Sequence, residues 1–139
     1  MKMTIERKNF PLHSPFAITG YTFTNLNSVW VTLEDQGFFG RGEGVGIYYL
    51  GDDQDQMVKD LEAIKPAVEN GATRHEINSL MATNGARNAL DCAMWDLECK
   101  QSNATIWELL GIEPKLLTTV ATIGIGTPEQ MAARALELS

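Results

Sequence analysis

The sequence predicts an α+β fold: a three-stranded antiparallel meander, then a bundle of helices, then the opening of a parallel βα unit. Three observations carry this. Apolar residues alternate singly through the first third of the chain. They recur at i, i+3, i+4 and i+7 through the middle. Near residue 120 they gather into a short β-prone run directly ahead of a helix start.

The first strand is read from Met3, Ile5, Phe10 and Leu12 as an extended segment interrupted by Pro11 and Pro15. The second is clearer, because Val29, Val31 and Leu33 alternate with Trp30, Thr32 and Glu34. Asp35-Gln36-Gly37 has the length and residue types of a hairpin loop, and residues 38–45 return as the third strand. From Asp53 onward Met57, Leu61 and Ile64 share a helical face, with Asp52, Asp53 and Asp55 at the N-terminal end where negative charge is favoured. Pro66 is expected to end or bend that helix. Thr73 with Glu76 makes a capping box for a second helix. Ala86, Ala89, Leu90, Ala93, Met94 and Leu97 form the continuous stripe of a third. Thr105 with Glu108 repeats the capping box, and Gly111 stops a short fourth helix. Residues 119–125 have the composition of a strand buried on both faces, and Thr127-Pro128 caps a last helix. No second parallel strand follows, so the chain is expected to be the front part of a longer protein.

Composition narrows the function. The net charge is −7, from 11 basic and 18 acidic residues, with no basic cluster to meet nucleic acid or an anionic membrane. No apolar run approaches the roughly 20 residues of a membrane span, and residues 1–10 lack the core of a signal peptide. Cys92 and Cys99 fall on one helical face about 10 Å apart along the axis, too far for a disulfide. They read as reduced core residues of a cytoplasmic protein.

Candidate chemistry is sparse. Gly40, Gly42, Gly44 and Gly46 lack the G-x-G-x-x-G spacing of a dinucleotide loop and open no helix, so they read as bulges and close backbone approaches. The Asp52, Asp53 and Asp55 cluster lacks the later ligand positions of a calcium loop. His13 and His75 have no second ligand nearby in sequence. Asp91 and Asp96 turn away from each other on the third helix and read as hydrogen-bonded packing residues. Trp95 and Trp107 read as core or interface anchors. These residues alone assemble no nucleophile, base and oxyanion site.

Five stretches in order carry a resemblance: Pro15-Phe16 with its loop, Gly40-Arg41-Gly42-Glu43, Tyr48-Tyr49-Leu50-Gly51-Asp52, Ala86-Arg87-Asn88-Ala89-Leu90-Asp91 through Trp95-Asp96-Leu97, and Glu108-Leu109-Leu110-Gly111. Together they resemble the muconate-lactonizing branch of the enolase superfamily, and most nearly its dipeptide epimerases. The resemblance implies a capping domain over residues 1–114, followed at residues 115–139 by the first strand and helix of a (β/α)-barrel. It implies two loops, residues 18–23 and 47–51, that close on the substrate and exclude water. Tyr21, Phe23, Tyr49 and Thr122 are the substrate-binding residues it points to. It places no catalytic and no metal-binding residue in this chain. The Mg²⁺ ligands, and the lysines that remove and return a proton beside a carboxylate, are expected beyond residue 139. A dipeptide substrate and a homo-oligomer are expected, with muconate cycloisomerase and o-succinylbenzoate synthase as alternative activities. A non-catalytic binding or assembly module is the alternative of another class. At residue 21 some alanine-glutamate epimerases carry an arginine, and a tyrosine supplies no such charge, so a more apolar dipeptide is favoured.

Overall fold

The computed structural model describes residues 1–139. Its contacts separate two units, Met1–Asn9 with Asn27–Glu113, and Phe10–Leu26 with Pro114–Ser139. Strands β1 (Lys2–Ile18), β2 (Tyr21–Asp35) and β3 (Phe38–Val45) lie in the order β1-β2-β3, the expected antiparallel meander. β1 is one strand of 17 residues rather than the interrupted segment expected from its prolines. The reason is its place at the sheet edge, where a missing N–H costs no ladder bond on the open side.

In the first unit β2 meets β3 with Val29 opposite Gly44, Val31 opposite Gly42 and Leu33 opposite Gly40. The hairpin between them turns through Gln36 (φ 50°) and Gly37 (φ 82°), both in the left-handed region that a two-residue primed turn requires. A single 3₁₀ turn (Tyr48–Leu50) follows β3, and then come α1 (Gln54–Glu69), α2 (Arg74–Leu80), α3 (Gly85–Ser102) and α4 (Ile106–Leu110). The starts are those expected. Asp53 accepts from Gln56 N–H, and both capping boxes, Thr73 with Glu76 and Thr105 with Glu108, are formed. Gly111 closes α4 at φ 64°.

Pro66 does not end α1, which continues to Glu69. Glu62, whose carbonyl loses its partner, and Pro66 are both exposed, so water can take the bond, and Asn70 N–H resumes the ladder to Pro66 O at 3.0 Å.

The core gathers Met3 from β1, Val29, Val31 and Leu33 from β2, Met57, Leu61 and Val68 from α1, Ile77 from α2, and all six stripe residues of α3. α3 lies directly along β3. A Cβ built on Gly40, Gly42 or Gly44 would sit within 2.0–2.2 Å of the carbonyl oxygens of Ala93, Ala89 and Gly85 respectively. The alternate glycines of the strand therefore match positions four apart on the helix, and the two backbones come together with no side chain between them. The close-approach reading of the glycines holds for this seam.

α3 also covers the outer edge of β3. Asn88 donates to Glu43 O (3.2 Å), Asp96 accepts from Arg41 N–H (2.8 Å), and Lys100 donates to Phe39 O (2.8 Å). A second row of α3 side chains thereby takes up polar groups that an edge strand would leave open to another chain. Asp91, for its part, accepts from Asn78 at 3.2 Å. The carboxylates are hydrogen-bonded packing residues, as expected.

The two cysteines are free but are not core residues, since Cys92 is exposed and Cys99 half-buried. They fall beside the buried stripe of α3 rather than within it. Trp95 is half-buried under the Arg74 guanidinium, 3.5 Å above its ring, whereas Trp107 is 42% exposed on the short α4 and anchors no core.

In the second unit, residues 119–125 carry no strand. The segment has no ladder partner, and Ile125 N–H donating to Ala17 O (2.8 Å) is the backbone bond it makes outside regular elements. An apolar composition becomes a strand only beside a neighbour that takes its N–H and C=O groups. Leu116, Leu117 and Val120 are almost fully exposed. Helix α5 (Pro128–Leu138) forms as expected, with Thr127 and Gln130 in a capping box.

Candidate functional site

Two chain reversals carry exposed aromatic side chains, one in each unit. The hairpin between β1 and β2 turns at Thr19 and Gly20, where Gly20 takes φ 79°. Just beyond it Tyr21, 45% exposed, meets the half-buried Phe23 edge-on with ring centres 4.6 Å apart. Phe23 in turn lies 6.2 Å from Phe16, whose ring a Cβ built on Gly124 would meet at 3.1 Å. Tyr21 and Phe23 are thus brought together, while Thr122 is exposed on the segment leading to Gly124. The ring pairs stiffen the hairpin, since edge-on aromatic contacts add roughly 0.5–1.5 kcal/mol beyond burial.

The other reversal, residues 47–51, belongs to the first unit. Leu50 N–H and Asp52 N–H both donate to Ile47 O (2.9 and 3.4 Å), Gly51 N–H donates to Tyr48 O (3.2 Å), and Gly51 takes φ 72°. Tyr48 and Tyr49 meet edge-on at 5.2 Å, and Tyr49 is 70% exposed. Beside this turn lies a cleft of about 580 Å³, lined among others by Ile47, Leu50, Asp52, Gln56 and Asn84.

The rest of the chain offers little reactive chemistry. Although Cys92 is exposed as a residue, partial desolvation of its thiol, and secondarily the neighbouring Asp91, raises the thiol pKa, which works against a thiolate nucleophile. No three His, Cys, Asp or Glu side chains converge to hold a metal, so these residues do not fit a Mg²⁺ site. No helix is long and apolar enough to cross a membrane. What the two reversals can do is contact a small molecule through aromatic faces and phenolic hydroxyls.

A meander clamped by one long helix, with shorter helices beside it, is the architecture of an enolase-type capping domain. Residues 1–111 match the family described as mandelate racemase / muconate lactonizing enzyme, N-terminal domain, and the chain belongs to that family within the enolase superfamily. It is 36% identical over 130 residues to the L-Ala-D/L-Glu epimerase of Escherichia coli K12, a match covering 93% of this chain and 40% of that protein. Among solved structures, it is similar to an enolase family member from Agrobacterium tumefaciens with homology to dipeptide epimerases, which holds sodium and L-Ala-L-Glu. The TM-score there is 0.91 at 34% identity, over 97% of this chain and 42% of the other. A dipeptide epimerase from Enterococcus faecalis, complexed with Mg and L-Leu-L-Tyr, superposes with a TM-score of 0.85 at 25% identity, over 98% and 41% of the two chains. The Escherichia coli and Enterococcus faecalis relatives are epimerases, hence isomerases, and the chain spans about two fifths of the length of each protein compared.

Sequence reasoning missed the anchor of the second turn. Asp52 reads in sequence as one more acidic residue ahead of a helix, yet it is buried and accepts from Gly85 N–H across 33 positions. Gln54, likewise unremarked, donates to Lys8 O and Ser28 O and ties α1 to two strands. Neither has a local pattern that would distinguish it, because both act through partners distant in sequence.

Proposed function

We propose that this chain is the substrate-closing part of a dipeptide epimerase of the enolase superfamily. Its parent removes the proton on the carbon next to the dipeptide carboxylate and returns one to the opposite face. Residues 1–114 act as the capping domain and residues 115–139 begin the barrel. Tyr21, Phe23, Tyr49 and Thr122 are the chain's substrate-contacting residues. The base, the acid and the carboxylates for Mg²⁺ are supplied by residues outside these 139. The parent works in the cytoplasm as a homo-oligomer.

One observation carries this reading. The relatives include dipeptide epimerases, and the chain presents two reversals on which Tyr21, Tyr48 and Tyr49 are exposed rather than packed into the core. Exposed aromatics on braced turns suit a closing surface, because little side-chain entropy is lost when they meet a ligand.

The test is solvent deuterium uptake at the α-carbon of L-Ala-L-Glu and L-Leu-L-Tyr, followed by NMR with the full-length gene product. Uptake at the second residue supports the reading, with the 139-residue chain alone inactive. Absence of uptake with every dipeptide offered overturns it. Tyr49→Ala is expected to raise KM roughly two- to tenfold, the loss of one well-placed aromatic contact.

A further inference from the structure

The turn at residues 47–51 begins and ends at one point. A Cβ on Gly46 would lie 1.6 Å from the carbonyl oxygen of Asp52, so the two stems of the turn touch backbone to backbone. Asp52 is 9% exposed, and its Oδ2 accepts from Gly85 N–H at 2.9 Å. Gly85 is the first residue of α3, the helix clamped along the sheet. It too is packed without room for a side chain, against Met57 Sδ at 2.6 Å from an ideal Cβ and Val45 O at 3.0 Å. Asn84 caps the same helix by accepting from Arg87 N–H. The N-terminus of α3 therefore already has its cap, and Asp52 is a second acceptor brought in by the turn.

That second bond makes Asp52 more than a helix-start residue. Its other oxygen, Oδ1, is buried with no hydrogen-bond partner. A buried carboxylate held by a single backbone N–H at a helix N-terminus is costly to keep there. What it fixes is the place of the exposed tyrosines relative to the rigid α3–β3 seam. Only four positions separate Asp52 from Tyr48, and the turn between them is closed by its own backbone bonds, so anchoring Asp52 anchors the aromatic tip.

We propose that Asp52 is a positioning residue, its carboxylate fastening the turn at residues 47–51 to the first residue of α3 so that Tyr48 and Tyr49 are held ready for the substrate. This rests on the epimerase reading for its functional half only. The fastening is a property of this chain.

The experiment compares Asp52→Ala with Asp52→Asn. Asparagine keeps an oxygen for the Gly85 N–H, and alanine does not. Amide hydrogen exchange by NMR is read at Leu50, Gly51 and Gly85, against Met57 and Ala93 as references in the core. Asp52→Ala is expected to speed exchange at the first three about tenfold or more relative to the references, the weight of one bond to a charged acceptor. Near-UV circular dichroism from the Tyr48–Tyr49 pair should fall with it. Asp52→Asn should recover most of both signals. Equal change at turn and core, or no recovery with asparagine, overturns the fastening. Gly46→Ala, whose added Cβ must push Asp52 away and so disturb its bond to Gly85, serves if the alanine variant fails to fold, and unchanged exchange at Leu50, Gly51 and Gly85 in it overturns the proposal as well. In the full-length gene product, Asp52→Ala should raise dipeptide KM more than it lowers kcat. An unchanged KM beside a loosened turn overturns the functional half. A parent that takes up no deuterium refutes the epimerase reading instead, and the exchange result then decides the fastening alone.

Discussion

A methyl group on Gly42 would lie 2.0 Å from the carbonyl oxygen of Ala89, inside any tolerable contact. Replacing glycine by alanine in a strand ordinarily gains up to about 1 kcal/mol through the unfolded state. Here the clash is with backbone on a helix that has the core beneath it, so neither partner can give way cheaply. Overpacking of this kind costs about 1–3 kcal/mol and wins. Gly42→Ala should lower the urea midpoint with the slope unchanged, and an unchanged or raised midpoint would show that α3 slides over β3 freely.

Asp96 tests whether α3 protects the strand edge by hydrogen bonding or by charge. Its carboxylate accepts from Arg41 N–H at 2.8 Å and from Lys100 Nζ at 2.7 Å, at 34% exposure. An exposed ion pair alone is worth about 0–1 kcal/mol. A backbone N–H stripped of a charged acceptor costs about 1.5–3 kcal/mol, less where water can reach it. Asp96→Ala should therefore cost about 1–2 kcal/mol, and Asp96→Asn, which keeps the acceptor for Arg41, less than about 1 kcal/mol. Equal losses in chemical denaturation would assign the effect to the lysine instead.

These two sites show which parts of the fold a sequence displays. The buried stripe of α3 and its neighbours' capping boxes are local patterns, and each of them is present at the residues that display it. The row Asn88, Asp96 and Lys100 is invisible as a pattern, because its meaning depends on β3 being an edge strand. The same holds for Pro11 and Pro15, harmless in β1 only because nothing pairs with one side of it. Residues 119–125 show the converse: strong β composition, and no strand without a neighbour. At the candidate site the tyrosines stand out in sequence as aromatic residues in loops. Asp52 and Gly46, which hold one loop closed, do not, because both act through contacts that only the folded chain brings together.

The capping boxes carry a pH dependence with a definite sign. Backbone and side-chain hydrogen bonds from Thr73 hold the Glu76 carboxyl below its ordinary 4.5, and Thr105 does the same for Glu108. A carboxylate whose folded-state pKa is depressed adds stability that is fully present above its unfolded value and is lost as pH falls through the folded one. The first turns of α2 and α4 should therefore loosen below the ordinary glutamate range. Carbon-13 titration of the two carboxyls checks this. Thr73→Ala keeps the backbone N–H and removes only the hydroxyl bond, so it should move Glu76 part of the way back toward 4.5 and leave Glu108 where it was. If Glu76 keeps its full depression in that variant, the backbone N–H of residue 73 holds the carboxylate without help from the hydroxyl.

On the proposed epimerase reading, Tyr21 is expected to bear on which dipeptide the parent prefers. It stands 45% exposed beside Phe23, with a phenol and no charge to offer a ligand. A glutamate side chain arriving here would leave water for an aromatic pair, whereas an apolar side chain would gain burial. Tyr21→Arg reverses the balance by supplying a planar, permanently charged donor for a carboxylate. A hydrogen bond to a charged group is worth about 1.5–3 kcal/mol, roughly ten- to a hundredfold in kcat/KM. The full-length gene product should therefore process L-Leu-L-Tyr better than L-Ala-L-Glu, and the arginine variant should invert that order. The competition is best run with both dipeptides in one tube, so that the ratio of rates reports the ratio of kcat/KM directly. A ratio that the substitution leaves unchanged would remove Tyr21 from the substrate's surroundings. A wild-type preference for the glutamate dipeptide, weakened by Tyr21→Phe, would instead show the phenolic hydroxyl doing by hydrogen bonding what an arginine does by charge.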